Sequence, residues 1–258
     1  MHSSNELALQ VKGLSVTFIE SDGNLEVLDN LSFSIQPFSF VSMIGPSGGG
    51  KSTLLRVLSG LISPTNGEIS FGTNSKENTK PKIGLVFQKA NLMPWRTVLE
   101  NITLPLQLTG IPSKNAKEQA MQMVEMVGLN GFENSLPHDL SGGMAQRVAI
   151  ARSLVQDPDI LLLDEPFGAL DALTRERMGE ELLRIWRTSH KTVLMVTHSI
   201  PEAIYLSDRV LVLTQRPAQI CLDFPVDLAR PRTEEIRYSS RFAELAHQLR
   251  QQLNIGQP

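Results

Sequence analysis

The sequence predicts an α/β fold with a mixed, mainly parallel core sheet, an N-terminal antiparallel β subdomain and an inserted helical lobe. Three observations predict it. The first part of the chain is a series of short apolar runs whose connections are too brief to carry a crossover helix. The middle loses that pattern and places apolar residues three and four apart. The last part alternates strand-like runs with helical segments, the mark of a parallel sheet wound on both faces.

In chain order, 7–11, 14–18, 31–35 and 40–44 read as strands, parted by polar turns such as Ser21 to Asn24. The run 40–44 enters a glycine-rich loop and then a helix over 52–59, closed by Gly60. A turn at 64–67 leads to a strand at 68–71, and 83–87 reads as another. From about 92 to 157 Ala116, Ala120, Val124 and Val127 share one helical stripe, and Met144, Val148, Ala151 and Val155 another. Beyond the lobe come strand 160–163, helix 172–186, strand 192–197, helix 200–206 and strand 209–213. A last amphipathic helix aligns Phe242, Leu245, Leu249 and Leu253. This divides the chain into a domain over 5–230, with the lobe at about 92–157, and a helical tail over 231–258.

Composition excludes some functions. With 24 Lys and Arg against 27 Asp and Glu the net charge is −3, so there is no basic excess for a dedicated nucleic-acid binder. The single cysteine, Cys221, excludes an internal disulfide framework and reads as a small buried hydrophobe in a reducing compartment. The longest uncharged stretch, 30–50, is interrupted by Ser, Gln, Pro and glycines and could not span a membrane as one apolar helix. Residues 1–10 show neither a basic nor an apolar leader region. The expectation is a cytoplasmic protein that serves a membrane, if at all, through a partner.

Gly45-Pro46-Ser47-Gly48-Gly49-Gly50-Lys51-Ser52 matches G-x-x-x-x-G-K-[ST] and lies between a strand and a helix, the context that pattern needs. A triphosphate needs many converging donors without side-chain bulk. Glycines let backbone N–H groups point inward, and the helix that starts there adds its positive end. Lys51 would reach the β and γ phosphates, the Ser52 hydroxyl would ligate Mg2+, and Thr53 continues the cradle.

Strand 160–163 ends in Asp164 and Glu165, at the carboxyl edge where open α/β sheets bind ligands. Asp164 suits the Mg2+ shell, and Glu165 suits a base that polarises water aimed at the γ phosphate. Leu140-Ser141-Gly142-Gly143-Met144 then offers a hydroxyl and two glycine N–H groups at a helix mouth, a second phosphate cradle.

In this order and place, that segment resembles the signature sequence of the ABC (ATP-binding cassette) ATPases, a branch of the P-loop NTPases. The family's other marks follow. Gln88, 37 residues past Lys51, resembles the Q-loop glutamine that senses Mg2+ or the attacking water. Gly168-Ala169-Leu170-Asp171 resembles the D-loop, and His198, 34 residues past Asp164, resembles the switch histidine that contacts the γ phosphate. Phe18 resembles the aromatic that stacks on adenine, although Val16 and Phe18 read equally well as same-face core residues of a strand. The resemblance covers about 7–213. It departs where Met144 replaces the common Gln, Gly49 a Cys or Ser, and Gly168 a Ser.

The resemblance implies ATP and Mg2+ as ligands and a second copy of the chain, since the signature of one subunit closes over ATP held by the other. A lone cassette resembles the ATPase subunit of an importer, working through a membrane permease and, indirectly, a solute-binding protein, on the cytoplasmic face of the inner membrane. Leu92, Met93, Pro94 and Trp95 fit a permease contact, and equally fit internal packing of the lobe. Leu92-Met93-Pro94-Trp95-Arg96-Thr97-Val98, Met144, Phe167-Gly168-Ala169-Leu170-Asp171 and Arg216-Pro217 resemble the nitrate, sulfonate and taurine group, which also includes bicarbonate and pyrimidine-precursor systems. Only about 45 residues follow Leu213, which argues against the regulatory domain of maltose-type ATPases. A cytosolic cassette of the iron-sulfur assembly kind stays open as an alternative. Chromosome and DNA-repair ATPases do not fit, because only 90 residues separate Lys51 from Ser141.

Overall fold

The computed structural model describes residues 7–20, 23–72 and 81–255, so Ser21 and Asp22 of the expected turn, residues 1–6 of the leader reading and 256–258 of the tail lie outside the described residues. The chain begins with β1 (Leu9–Glu20), β2 (Gly23–Ile35), β3 (Phe40–Ile44), α1 (Lys51–Leu58), β4 (Asn66–Phe71) and β5 (Ile83–Val86). The helices α2 (Val98–Leu108), α3 (Ser113–Met126) and α4 (Gly142–Leu154) follow, then β6 (Ile160–Asp164) and α5 (Ala172–Ser189). Last come β7 (Thr192–Val196), α6 (Ile200–Leu206), β8 (Arg209–Leu213), β9 (Ile220–Pro225) and α7 (Ser240–Ile255). Two compact units result: Met1–Pro81 with Thr192–Pro258, and Lys82–Lys191.

In the first unit β1 pairs antiparallel with β2 on one side and β4 on the other. The two runs expected at 7–11 and 14–18 are one strand, bent where Gly13 takes φ +60. Its register slips between Val11 and Leu14, Leu14 and Val16, and Val16 and Thr17. Hydroxyls replace the lost ladder bonds: Gly13 N–H donates to Ser32 Oγ and Asn30 N–H to Ser15 Oγ. The first half of β2 was illegible as a strand because Glu26, Asp29 and Asn30 break its apolar alternation.

Strand β3 is buried throughout and runs parallel between β7 and β8, which explains its continuous apolar run. Between the expected strand 209–213 and the final helix lies β9, unmarked in the sequence pattern, an antiparallel edge strand on β8 whose residues alternate half-buried and exposed. Cys221 faces outward on it, so the thiol is exposed and not the buried hydrophobe expected; its Sγ–H donates to Val212 O, and partial burial raises its pKa. The chain end packs onto α6. Phe242, Leu245 and Leu249 of α7 are buried as the stripe predicts, and Leu253 is half-buried. Arg232 Nη1 donates to the carbonyls of Ile204, Tyr205 and Ser207, the unpaired end of α6. Burial, with Arg230 nearby, lowers its pKa to about 10, so it remains charged at neutral pH.

In the second unit β5 and β6 pair parallel, and α2, α3 and α4 form the lobe. The predicted stripe holds, with Ala116, Ala120, Val124 and Val127 fully buried. On α4 Val148 and Ala151 are buried and Met144 is half-buried. Helix α2 starts in a capping box, where Glu100 N–H donates to Thr97 Oγ1 and Thr97 N–H to a Glu100 carboxylate oxygen. Among the described residues no helix is long and apolar enough to cross a membrane.

Candidate nucleotide site

In the first unit β3 delivers the chain into the loop 45–50, and α1 starts at Lys51. Gly48 has φ +74, and Gly50, the N-cap, has φ +86, values that L side chains rarely adopt. No side chain caps α1 and no acid stands in its first turn, so its first N–H groups face the loop. Lys51 is almost fully buried, with Nζ donating to Gly45 O at 2.9 Å and Pro46 O at 2.8 Å. It is thus held across the loop that a polyphosphate would fill. Ser47 is exposed, while Ser52 and Thr53 are half-buried.

Close packing demands the other glycines. A Cβ on Gly50 would lie 2.7 Å from Leu28 Cδ2 and 3.0 Å from Val27 Cγ1. One on Gly45 would meet Leu213 O at 2.9 Å, and one on Gly49 would meet Thr214 O at 3.2 Å. The sequence reading missed Val27, Leu28, Leu213 and Thr214 as walls of this loop. They come from β2 and from the exit of β8, and no local pattern marks them.

In the same unit His198 follows β7 and is exposed. Thr197 Oγ1 donates to Glu202 at 2.6 Å and accepts from Ser199 N–H, while Ser199 caps α6. His198 is thereby set between a strand end and a capped helix. Val16 is buried, whereas Phe18 is half-buried and pairs with Leu25.

In the second unit β6 ends at Asp164, 9% exposed, and Glu165 follows with φ +44. A glutamate in that region carries strain of order 1 kcal/mol, of the kind that recurs at functional sites. Gln88 Nε2 donates to Glu165 Oε2 at 3.4 Å. A Cβ on Gly168 would lie 2.9 Å from Gln88 Nε2 and 3.5 Å from Glu165 Oε2, so this glycine is the floor of the pair.

Ser141 caps α4, its Oγ accepting from Met144 N–H at 3.3 Å. Ser141 and Gly142 are exposed; Gly143 is buried, and a Cβ there would meet Thr174 Cγ2 of α5 at 3.2 Å. Gly143 thus serves helix packing, while at the exposed Gly142 a Cβ would meet Leu170 Cδ2 at 3.1 Å. Asp171 caps α5 through Thr174 N–H, and hydrogen bonding from the Thr174 side chain and then its N–H lowers the Asp171 pKa.

The segment after Gln88 is firmly tied. Arg152 donates to Ala90 O and Asn91 O. Asn101, fully buried, accepts from Met93 N–H and donates to Met93 O, Arg96 O and Thr97 O. Leu92 and Met93 are half-buried, Pro94 is exposed and Trp95 is 73% exposed.

Comparison with known proteins agrees with this geometry. Residues 28–168 match the family described as ABC transporter. The chain is 48% identical over 227 residues to an uncharacterised ABC transporter ATP-binding protein of Methanocaldococcus jannaschii, covering 88% of this chain and 85% of that one. It is 43% identical over 252 residues to the aliphatic sulfonates import ATP-binding protein of Bacillus cereus, covering 97% of each. The taurine import ATP-binding protein of Rhizobium johnstonii is 42% identical over 248 residues, covering 94% of this chain and 95% of that one. Among solved structures, a dimeric bacterial ABC transporter cassette superposes with a TM-score of 0.72 at 34% identity, covering 86% of this chain and all of that one. The same cassette in a post-hydrolysis dimer with ADP and Pi gives the same values.

Proposed function

We propose that this chain, which belongs to the ABC transporter family, binds ATP in the loop 45–53 and hydrolyses it to drive an importer. It is the ATP-binding subunit, and ATP hydrolysis is coupled to uptake of a small solute. The observation that carries the site assignment is the phosphate loop 45–50 with the start of α1. Two glycines at positive φ, an uncapped helix start and a buried Lys51 braced on loop carbonyls make a preorganised phosphate cradle.

In this reading Gly45, Pro46, Ser47, Gly48, Gly49, Gly50, Lys51, Ser52 and Thr53 hold the phosphates, and Phe18 stacks on adenine. The half-exposure of Phe18 supports that role. The Ser52 hydroxyl, the Gln88 amide oxygen and the Asp164 carboxylate are assigned to Mg2+, a set of hard oxygen donors that suits a small cation keeping waters and phosphate oxygens. When bound, Mg2+ neutralises phosphate charge. Glu165 takes a proton from the attacking water, with Gln88 orienting its carboxylate, and His198 donates toward the γ phosphate.

The finer assignments follow. Ser141, Gly142, Gly143 and Met144 act on ATP held by a second copy, with Asp171 at the junction. The exposed indole of Trp95 on a braced loop supports a permease contact through Leu92, Met93, Pro94 and Trp95. The solute is of the sulfonate or taurine class, delivered by a solute-binding protein, and the subunit sits on the cytoplasmic face of the membrane. Residues 5–230 form the ATPase domain and 231–258 its helical tail.

The test is purification with and without the membrane fraction. Magnesium-dependent ATP hydrolysis that Lys51→Ala abolishes is expected, together with co-purification of an integral membrane protein. ATP affinity unchanged by Lys51→Ala overturns the cradle, and recovery solely with soluble partners overturns the importer reading.

A further inference from the structure

The turn that joins β8 to β9 lies along the phosphate loop, and the glycines of that loop are small where the turn approaches. Gly45 faces Leu213 O, Gly49 faces Thr214 O, and Gly48 faces Arg216. A Cβ on Gly48 would stand 3.1 Å from Arg216 Nη2 and 4.0 Å from Cζ, so the guanidinium rests against the loop backbone.

The turn is anchored well enough to hold it there. Thr214 N–H donates to Gln219 O, and Gln219 N–H to Thr214 Oγ1. Ala218 N–H donates to Val27 O and Asp29 N–H to Ala218 O, while Gln219 Nε2 donates to Asp29 Oδ2 at 2.6 Å. Those bonds tie the turn to β2, whose Val27 and Leu28 already wall Gly50.

Arg216 itself is exposed and, among the described residues, has no hydrogen bond or ion pair. A guanidinium carries five donors and a permanent charge, and its planar fork fits phosphate oxygens. Arg184 is held by Glu181 and Arg230 by Asp208. Arg216 instead brings its positive charge to a loop shaped for an anion.

We propose that Arg216 is a second cation of the nucleotide site, engaging the polyphosphate of a nucleoside di- or triphosphate from the Gly48 side while Lys51 engages it from the helix side. The proposal deepens the reading of 45–53 as a phosphate cradle and rests on it. It gives the site a contact that Lys51 alone does not supply. Because the charge is exposed, its effect should weaken as salt rises.

The experiment measures ATP and ADP affinity of the full chain at low and high salt, with Arg216→Gln, Arg216→Lys and Lys51→Ala, alongside the melting temperature without nucleotide. Arg216→Gln is expected to weaken ATP and ADP by about tenfold at low salt and less at high salt, as loss of one charge-assisted contact would. Its melting temperature should stay at the wild-type value, and Arg216→Lys should recover most of the affinity. Unchanged ATP and ADP affinity in Arg216→Gln overturns the proposal. So does a loss of affinity that comes with a lower melting temperature and is not recovered by Lys, since that describes packing of the loop. Wild-type affinity in Lys51→Ala overturns the cradle itself, a result distinct from any of the Arg216 outcomes.

Discussion

Gln88 Nε2 donates to Glu165 Oε2 at 3.4 Å, across a floor formed by Gly168. The contact joins the end of β5 to the residue after β6, both at the carboxyl edge of one parallel pair. Gln146 Nε2 donates to Phe87 O just before Gln88, so the start of α4 and the carboxylate pair share one short route.

Glu165→Gln keeps the shape of that pair and removes the base. ATP binding should persist while turnover falls at least about 100-fold, and the chain should accumulate as an ATP-bound dimer. Phosphate release and gel filtration with ATP check both. Turnover within twofold of wild type removes Glu165 as the base.

Gly168→Ser restores the residue that the family more often carries at this position. Its Cβ would lie 2.9 Å from Gln88 Nε2, the far end of a flexible side chain, so the amide should swing away at little cost in stability. The expected outcome is a melting temperature within about 2 °C of wild type and a lowered rate of hydrolysis. An unaltered rate shows that the Gln88–Glu165 contact does not matter to the chemistry.

Gly50→Ala meets both strain and bulk, with φ at +86 and Leu28 Cδ2 at 2.7 Å. The loss should be about 1–3 kcal/mol, with nucleotide affinity falling alongside. Gly60→Ala is the control, since Gly60 shares the positive φ but has nothing within 4 Å of its missing Cβ. Equal losses at the two positions, by chemical denaturation, would assign the whole effect to backbone strain and none to the wall.

Asn101→Ala strips four hydrogen bonds from a fully buried side chain and leaves Met93 N–H without its acceptor. A loss of about 2–4 kcal/mol is expected. Trp95→Ala, at an exposed position, should leave the melting temperature unchanged and reduce recovery of the permease. A melting temperature that falls as far as in Asn101→Ala would return Trp95 to internal packing of the lobe.

Much of this protein is legible in one dimension because its chemistry is local. The phosphate loop needs glycines and a lysine in consecutive positions, and Asp164 and Glu165 follow an apolar run that can only be a buried strand. The helical stripe at Ala116, Ala120 and Val124 is equally plain, because a helix repeats its buried face every three or four residues. Strand β9 and the first half of β2 were missed where half-exposed residues and acids blur the alternation, and Cys221 proved exposed because it sits on the outward register of an edge strand.

By itself the sequence determined the fold class, the order of the motifs and the kind of ligand they suit, since each depends on neighbours along the chain. Only the tertiary structure decided that Val27, Leu28, Leu213, Thr214 and Arg216 surround the phosphate loop. It alone showed that Gly168 underlies Gln88 and Glu165, that Gly143 packs α4 on α5, and that the exposed Gly142 lies against Leu170. The physical reason is the same in each case. These are contacts between atoms far apart in sequence, governed by how closely two backbones approach, and a glycine records that such an approach exists without naming the residue on the other side.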